Sequence, residues 1–300
     1  MPAARRFETA PNRWTGVASD EPRAGHYVSR WNLHMPPEPM TSHAFSAIAR
    51  YDDQCGRPLR ALEGPQEQPT TLTLNDTAMV TLLATPEALE PLALGHAFTA
   101  GWIARAAEVE AVHLSRLRHG LAVRLSVSPR VEERAAGLRR ADASVSSCGA
   151  CGVAEEAQLM QGLTRLPSRA PLAPEALLKG IERLQRHARP GLHTALGLAE
   201  NGEVLARGVD IGRHNALDRI IGDGLTRQAM PAAVLLSSRC SMELVQKTVR
   251  AGITTLATLS LPSSLAVEIA RACDLNLICC HRGRRLERLS GPASADDTVT

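Results

Sequence analysis

The C-terminal half of the chain alternates short apolar runs with amphipathic stretches, and this alternation constrains the fold more than any other feature. The predicted strands cover 193–199, 203–206, 234–236, 254–258 and 275–279. The predicted helices cover 174–188, 215–222, 241–251 and 264–272. Asn201-Gly202 between the first two strands is the strongest short-range signal of a β-hairpin. A hairpin followed by β/α alternation predicts a three-layer α/β domain with a mixed sheet over residues 173–290.

The residues before this domain predict a smaller α+β domain over 61–135. Residues 72–83 read as a hairpin around Asn75-Asp76, a helix is expected at 87–103, and strict alternation predicts a half-buried strand at 121–127. Residues 1–60 show no period, so we expect a mobile extension. Acidic residues within it disfavour an amphipathic targeting peptide. We expect 136–172 to be a flexible loop and linker, and 291–300 to be frayed.

Composition excludes some classes of function. The net charge of +3 is too small for a general nucleic-acid-binding protein, although it allows a local basic pocket. The sequence has no run of 18 apolar residues, so no transmembrane helix is expected. It also lacks the apolar segment of a signal peptide, and its seven cysteines are an odd number, so we expect a cytoplasmic protein with reduced thiols.

Cys148 and Cys151 lie three residues apart in the Gly- and Ala-rich segment 146–156. A structural zinc site would need two further ligands at suitable spacing, and a deaminase-type zinc site would need His-x-Glu before Pro-Cys-x-x-Cys. Both patterns are absent from the sequence. A thioredoxin-like dithiol would sit between a strand and a helix, whereas this pair lies in a predicted loop. We therefore interpret the pair as accessible thiols on a flexible arm, with two incidental loop cysteines as the alternative.

The segment 208–222 crowds polar side chains into a turn that opens a helix. Asp210, Arg213, His214 and Asn215 all lie in this turn. A helix N-terminus beside an arginine suits an anion. The alternative is an ordinary capped helix, begun by Asn215 with Asp218 three residues later, in which Asp210 and Arg213 form a surface ion pair.

Ser- and Arg-rich segments follow three consecutive predicted strands, at 237–241, 260–264 and 279–285. Ligands of open α/β sheets bind at the carboxyl ends of the strands, and the planar guanidinium suits phosphate oxygens. The convergence of three such loops therefore predicts a phosphate-bearing ligand. Neither a Walker motif nor a Rossmann glycine fingerprint is present, so ATP hydrolysis is not indicated.

Five stretches together resemble the FdhD family of formate dehydrogenase accessory sulfurtransferases. They are CGACG (148–152), DIGRHNALDRIIG (210–222), SSRCSMELVQK (237–247), PSSLAVEIA (262–270) and RGRR (282–285). The resemblance implies a cytoplasmic homodimer whose C-terminal domain has a cytidine-deaminase-like fold without the zinc. It also implies transfer of sulfur from a cysteine desulfurase to the molybdenum of the bis-molybdopterin guanine dinucleotide cofactor, which the catalytic subunit of formate dehydrogenase requires.

The resemblance also implies roles for individual residues. Cys148 would carry the persulfide, Cys151 would assist it, and the segment from Cys280 to Arg285 would lie in the cofactor-binding region. Together with the loops described above, the predicted binding residues are Asp210, Arg213, His214, Asn215, Ser237, Arg239, Cys280, His281, Arg282, Gly283, Arg284 and Arg285. The guanidinium groups of Arg213, Arg239 and Arg282 are the expected phosphate contacts.

The chain departs from the usual family pattern at Ala100, Arg189, Pro190, Val209 and Ser238. Both cysteines of the pair are kept. The sequence therefore favours a persulfide-carrying sulfurtransferase. Two other hypotheses are a chaperone that binds the molybdenum cofactor without carrying sulfur, and a deaminase-type zinc hydrolase.

Overall fold

The computed structural model describes residues 64–146, 160, 162–281 and 285–292, with side chains up to Leu138 in the helix that ends at Ser146. The predicted extension at 1–60, the cysteine pair and most of the predicted frayed tail lie outside the described residues. Among the helices that the structure describes, none combines the length and the apolar character needed to cross a membrane.

The first sheet is formed by residues before position 128. Its strands are β1 (Gln68–Leu74), β2 (Thr77–Ala84), β3 (Val109–Leu117) and β4 (Gly120–Val127). Their order is β2-β1-β4-β3, with β1 and β4 parallel and the other neighbours antiparallel. The predicted hairpin and the predicted strand at 121–127 are confirmed. Asn75 suits the hairpin turn because its backbone is left-handed (φ 49°) and its side-chain amide bonds both the N–H and the carbonyl of Val127.

The second sheet is also mixed. Its strands are β5 (His193–Leu198), β6 (Val204–Asp210), β7 (Ala233–Leu236), β8 (Thr255–Thr258), β9 (Asn276–His281) and β10 (Arg285–Ser290). Their order is β10-β9-β8-β7-β5-β6, and β7, β8 and β9 are parallel. The fold therefore mixes helices and strands around two mixed sheets, of which the sequence predicts the second as mixed.

Helices cover both faces of the second sheet. The chain forms α1 (Leu89–Thr99), α2 (Pro129–Ser146), α3 (Pro174–Arg186), α4 (Arg213–Arg227), α5 (Met242–Arg250) and α6 (Ser264–Ala272). Alternate strand residues such as Leu235 and Ile278 pack with Leu177 of α3 in one apolar layer. Their neighbours Val234 and Leu277 pack on the other side with α4, α5 and α6. This confirms the predicted three layers, whereas the cytidine-deaminase-like relationship stays a prediction.

Helix α1 joins the two sheets because it is buried on nearly every side. The first sheet covers one side of α1, and α4 crosses the other at backbone contact. A Cβ on Gly95 would lie 1.9 Å from the carbonyl oxygen of Asp218, and a Cβ on Gly222 would lie 1.9 Å from that of Pro91. Both glycines are therefore required by the close approach of the two helices.

Four elements differ most clearly from the sequence-based expectations. Helix α2 continues to Ser146, so the expectation of a loop from residue 136 is wrong for residues 136–146. Strands β3 and β10 were not expected; both are outer strands whose side chains are mostly exposed or half-buried, which leaves little apolar alternation. Helix α1 is shorter than the predicted 87–103 because Ala88 is left-handed (φ 44°) and Gly101 (φ 77°) follows its end.

Candidate functional site at one edge of the second sheet

The predicted binding loops meet at one edge of the second sheet. The carboxyl ends of β6, β7, β8 and β9 lie at this edge, together with the amino ends of β5 and β10, because these last two strands run antiparallel to their neighbours. The residues of neighbouring strands that pair at or next to this edge are His193–Asp210, Ala195–Leu236, Leu236–Thr258, Thr258–Cys279 and His281–Arg285. The convergence that the sequence predicts is therefore present in the fold.

The turn at the start of α4 is held from inside by Asp210, whose side chain is fully buried. One carboxylate oxygen, Oδ1, accepts the backbone N–H of Gly212 at 2.8 Å and the side-chain amide of Asn215 at 2.9 Å. Asn215 also donates to the carbonyl of Leu83 at 2.9 Å. The helix begins at Arg213 with Gly212 as its N-cap, so the cap-like start expected from Asn215 is wrong.

The second carboxylate oxygen of Asp210, Oδ2, faces the loop between β2 and α1. It accepts the backbone N–H of Thr85 at 3.1 Å and two guanidinium donors of Arg219. Arg219 is 3% exposed and also donates to the carbonyls of Thr85, Glu87 and Ala88. The alternative of a surface ion pair between Asp210 and Arg213 is therefore wrong, because the partner of Asp210 is the buried Arg219.

Arg213 lies in the first turn of α4 at this edge. Its Nε–H is buried and finds no acceptor among the residues that the structure describes. The next residue, His214, contacts the carboxylate of Glu243 at 2.9 Å and the hydroxyl of Ser241 at 3.3 Å. The hydrogen bond from His214 outweighs burial and lowers the pKa of Glu243, so this carboxylate stays ionised. Because its buried Nε–H has no acceptor among the described residues, Arg213 keeps an unused donor, which suits an anionic ligand.

His193 differs from His214 in its surroundings. It is half-buried at the amino end of β5, opposite Asp210 of β6. Burial lowers the pKa of His193, and the neighbouring Arg213 and His214 lower it further, while Asp210 acts in the opposite direction. His193 is therefore a neutral imidazole at pH 7, able both to donate and to accept a hydrogen bond.

The loop after β7 supplies the predicted Ser237 and Arg239. The hydroxyl oxygen of Ser237 accepts the backbone N–H of Thr194 at 2.9 Å, which ties this loop to β5. Ser238 is buried and donates to the carbonyl of Arg239 at 3.1 Å, whereas the side chain of Arg239 is exposed. Arg239 therefore stands at the rim of the edge on a loop fixed by its neighbours.

The cysteines that the structure describes are unsuited to nucleophilic chemistry. Cys240, Cys273, Cys279 and Cys280 are buried and form no disulfide among the described residues. Burial raises the pKa of Cys240 to about 12, and it also raises the pKa values of Cys273 and Cys279. The thiolate is the reactive form of cysteine, so a thiol with a raised pKa is inert at neutral pH.

Comparison with known proteins identifies the relatives of this fold. The sequence model of the FdhD/NarQ family matches residues 65–295. The chain belongs to the FdhD/NarQ family. The sulfur carrier protein FdhD of Bordetella bronchiseptica is 35% identical over 223 residues, which cover 71% of this chain and 80% of the relative. The protein of the same name from Burkholderia mallei is 38% identical over 229 residues, covering 71% of this chain and 83% of the relative.

A solved structure also matches this FdhD/NarQ chain. It is described as a formate dehydrogenase accessory protein from Desulfotalea psychrophila, with a TM-score of 0.57 and 23% identity. The match covers 76% of this chain and 88% of that one. At this level of identity the likeness shows a shared fold alone.

The structure of this FdhD/NarQ protein places the remaining predicted site residues in different surroundings. His281 and Arg285 lie at the edge, where His281 bonds Glu287 at 2.6 Å. Cys280 is fully buried in the layer beneath α3, so its side chain does not face the edge. Cys148, Cys151, Arg282, Gly283 and Arg284 lie outside the described residues.

Sequence reasoning did not single out several groups that shape this edge in the FdhD/NarQ chain. The sequence pattern gives Ser241 and Glu243 no role, and it does not identify Arg219 as the buried partner of Asp210. The position of His193 could have been found, because counting outward from Asn201-Gly202 through the hairpin places it opposite Asp210.

A second buried ionic cluster lies behind the edge, between α1, α4 and α5. Asp218 is fully buried and accepts from the ammonium group of Lys247 at 2.7 and 2.8 Å, from Thr99 at 3.0 Å and from His96 at 3.2 Å. Burial alone would raise the pKa of Asp218, but the charge of Lys247 and the hydrogen bonds from His96 and Lys247 outweigh it and hold the pKa low. This cluster anchors α1 of the FdhD/NarQ fold to the second sheet.

Proposed function

We propose that this protein is a sulfur carrier required for formate dehydrogenase activity, which accepts persulfide sulfur on Cys148 and transfers it to the molybdenum of bis-molybdopterin guanine dinucleotide. The observation that carries the proposal is the convergence of Arg213, Arg239 and Arg285 at one sheet edge, in a chain whose relatives are named sulfur carrier proteins. The pyrophosphate groups of the cargo suit these guanidinium groups, and Arg213 has a donor without an acceptor among the described residues.

The sulfur-accepting step requires a reactive thiol. The four described cysteines are buried, which leaves Cys55, Cys148 and Cys151 as candidates, and the last two share the Cys-x-x-Cys motif. In this proposal the thiolate of Cys148 attacks the outer sulfur of the persulfide on a cysteine desulfurase. A new S–S bond forms on Cys148, and the desulfurase cysteine leaves as a thiolate. Cys151 assists, and the protein acts in the cytoplasm as a homodimer.

Delivery of the sulfur follows at the sheet edge. The persulfide S–S bond breaks, Cys148 keeps the bonding electron pair and returns to the thiolate, and a neutral sulfur atom passes to the cargo. The molybdenum centre supplies the two electrons that turn this atom into a sulfido ligand. The guanidinium groups hold the guanine dinucleotide ends of the cargo, which then passes to the catalytic subunit of formate dehydrogenase.

The acceptance step is tested by intact-mass measurement after incubation with a cysteine desulfurase and cysteine. We expect the wild-type chain to gain the mass of one sulfur atom and the Cys148→Ala variant to gain none. Cys55→Ser is the matched control, because Cys55 is a third cysteine outside the described residues, and it should gain sulfur like the wild type. Loading of Cys148→Ala at the wild-type level would refute the proposal.

A second measurement separates sulfur transfer from a cofactor-binding chaperone. In a strain that lacks its own copy of the gene, Cys148→Ala should fail to support formate dehydrogenase activity, whereas Cys55→Ser should support it fully. A chaperone that carries no sulfur predicts full activity of Cys148→Ala and loss of activity in Arg213→Gln. One zinc ion per purified chain would instead favour the zinc hydrolase.

A further inference from the structure

The carboxylate of Asp210 serves two loops with separate oxygen atoms. Oδ2 bonds Arg219 and the backbone of Thr85, and so holds the loop between β2 and α1. Oδ1 bonds Gly212 and Asn215, which bracket the first turn of α4. Each oxygen accepts at least two donors, so the carboxylate is fully satisfied and its orientation is fixed.

The Oδ1 contacts determine where Arg213 and His214 lie. These two residues stand between Gly212 and Asn215, and both flanking residues are bonded to the same buried oxygen. Asn215 is tied at its other side to the carbonyl of Leu83. The turn therefore has little freedom to move along the sheet edge without breaking a buried hydrogen bond.

We infer that Asp210 is a positioning residue, which sets the first turn of α4 so that Arg213 faces an anionic ligand at the sheet edge. The ligand in this inference rests on the proposed function, whereas the placement of Arg213 does not. The buried ion pair with Arg219 fixes the orientation of the Asp210 carboxylate. The carboxylate in turn fixes Gly212 and Asn215, and with them the position of Arg213.

Gly212 allows this turn to be disturbed without removing any charge. A Cβ at this position would lie 2.9 Å from the side-chain nitrogen of Asn215 and 3.4 Å from Oδ1 of Asp210. The backbone of Gly212 is extended (φ −93°, ψ 121°), which alanine adopts readily. Gly212→Ala should therefore fold and displace the turn, whereas Asp210→Asn also leaves Arg219 with a weakened partner.

The first experiment needs no ligand and follows the titration of His193 by NMR in the full chain. Burial lowers the pKa of His193, and the nearby charge of Arg213 lowers it further. We therefore expect this pKa to rise in Arg213→Gln and to rise in the same direction in Gly212→Ala. Asp218→Asn, which removes another buried carboxylate of α4 away from the turn, should leave it unchanged. An unchanged or lowered His193 pKa in Gly212→Ala would overturn the inference.

The second experiment measures the affinity for guanosine diphosphate, which carries the guanosine pyrophosphate moiety of the proposed cargo. Arg213→Gln and Asp210→Asn should each weaken binding by about tenfold or more, the usual effect of losing a hydrogen bond to a charged group. If Asp210 acts through Arg213, the double variant should bind no more weakly than Arg213→Gln alone. Asp218→Asn should bind within about twofold of the wild type, because its contacts do not reach the turn.

The outcomes distinguish the two proposals. Additive losses in the double variant, or an equal loss in Asp218→Asn, would show that Asp210 has only a structural role, and would overturn the inference. If the wild type binds no guanosine diphosphate while the His193 pKa rises in Gly212→Ala, the positioning inference stands and the proposed cargo is refuted.

Discussion

The ion pair between Asp218 and Lys247 provides a quantitative test of how α1 is anchored to the second sheet. The two side chains differ in their access to water: the carboxylate is fully buried, whereas the lysine side chain is 15% exposed. Removing the lysine leaves a carboxylate with no access to water, whereas removing the carboxylate leaves an ammonium group that reaches water. The two single substitutions should therefore destabilise the fold unequally.

Lys247→Met keeps the aliphatic part of the side chain and removes its charge. Asp218 is then left as a buried carboxylate that keeps, among the residues the structure describes, His96 and Thr99 as donors. Removing one partner of a buried pair in this way typically costs about 3–5 kcal/mol in the free energy of unfolding. For a domain of this size that corresponds to a decrease in Tm of roughly 6–20 °C, at about 2–4 °C per kcal/mol.

Asp218→Asn should be the milder change. The amide keeps an oxygen acceptor for Thr99, and the ammonium group of Lys247 can turn toward the water that it already reaches. We expect a loss of about 1–3 kcal/mol, the range for a buried hydrogen-bonded group that loses part of its partners. The order of the two effects follows from burial alone, so it does not depend on the absolute magnitudes.

Urea unfolding at pH 7, followed by circular dichroism, measures both free energies of unfolding. Two results would contradict this anchoring role: a destabilisation of Asp218→Asn equal to or larger than that of Lys247→Met, or a loss of less than about 1 kcal/mol in Lys247→Met. The pH dependence gives a second check. Because the folded pKa of Asp218 is lowered, the carboxylate stabilises the fold fully above its unfolded pKa of about 3.9. The difference between wild type and Asp218→Asn should therefore shrink as the pH falls below about 4.

Three further outcomes are expected. Gly95→Ala should destabilise the fold by about 3 kcal/mol or more, because its Cβ would lie 1.9 Å from the carbonyl oxygen of Asp218. The control Gly137→Ala has nothing within 4 Å of its Cβ and should instead stabilise α2 by about 0.5–1 kcal/mol. Thermal unfolding of the two variants measures the difference. Native-state alkylation at pH 8 should leave Cys240 unmodified because burial raises its pKa to about 12. Four of the seven cysteines are buried, so intact-mass measurement should find at most three labels per chain, and a fourth label would contradict their burial. Glu108→Gln should change stability by less than about 1 kcal/mol in chemical unfolding, because its arginine partner is 43% exposed.

The strands and helices that can be predicted from the sequence are those whose burial produces a regular pattern of apolar residues. The strands of the second sheet read as apolar runs because most of their residues are buried on both faces. Strand β3 contains Glu110, His113 and Arg116, and a register irregularity between Val109 and Ala111 breaks its alternation. Helix α2 was missed for the same reason, because only Val131 and Ala135 of its described residues belong to the apolar core. An element with little burial leaves little periodicity to detect.

The candidate site was predictable at the level of loops but not of partners. Strand order places the ends of parallel strands together, so the convergence of Ser- and Arg-rich loops could be expected before any coordinates. The partner of Asp210 could not, because Arg213 and Arg219 both follow it on the same helix and only packing shows which one is buried. Sequence spacing alone cannot separate an arginine that neutralises an interior acid from one that remains for a ligand.

The positive charge available to a ligand at the sheet edge depends on which cations are already paired with buried acids. The two buried acids of the α4 region are neutralised by interior cations, Asp210 by Arg219 and Asp218 by Lys247. Within the described part of the chain, Arg213 and Arg239 have no carboxylate at salt-bridge distance, so both guanidinium groups remain available to a ligand. A ligand held by such groups should bind more weakly as ionic strength rises, because salt screens exposed charges over about 10 Å at 0.1 M. The internal pairs are shielded from salt, so added salt should weaken binding well before it affects the free energy of unfolding.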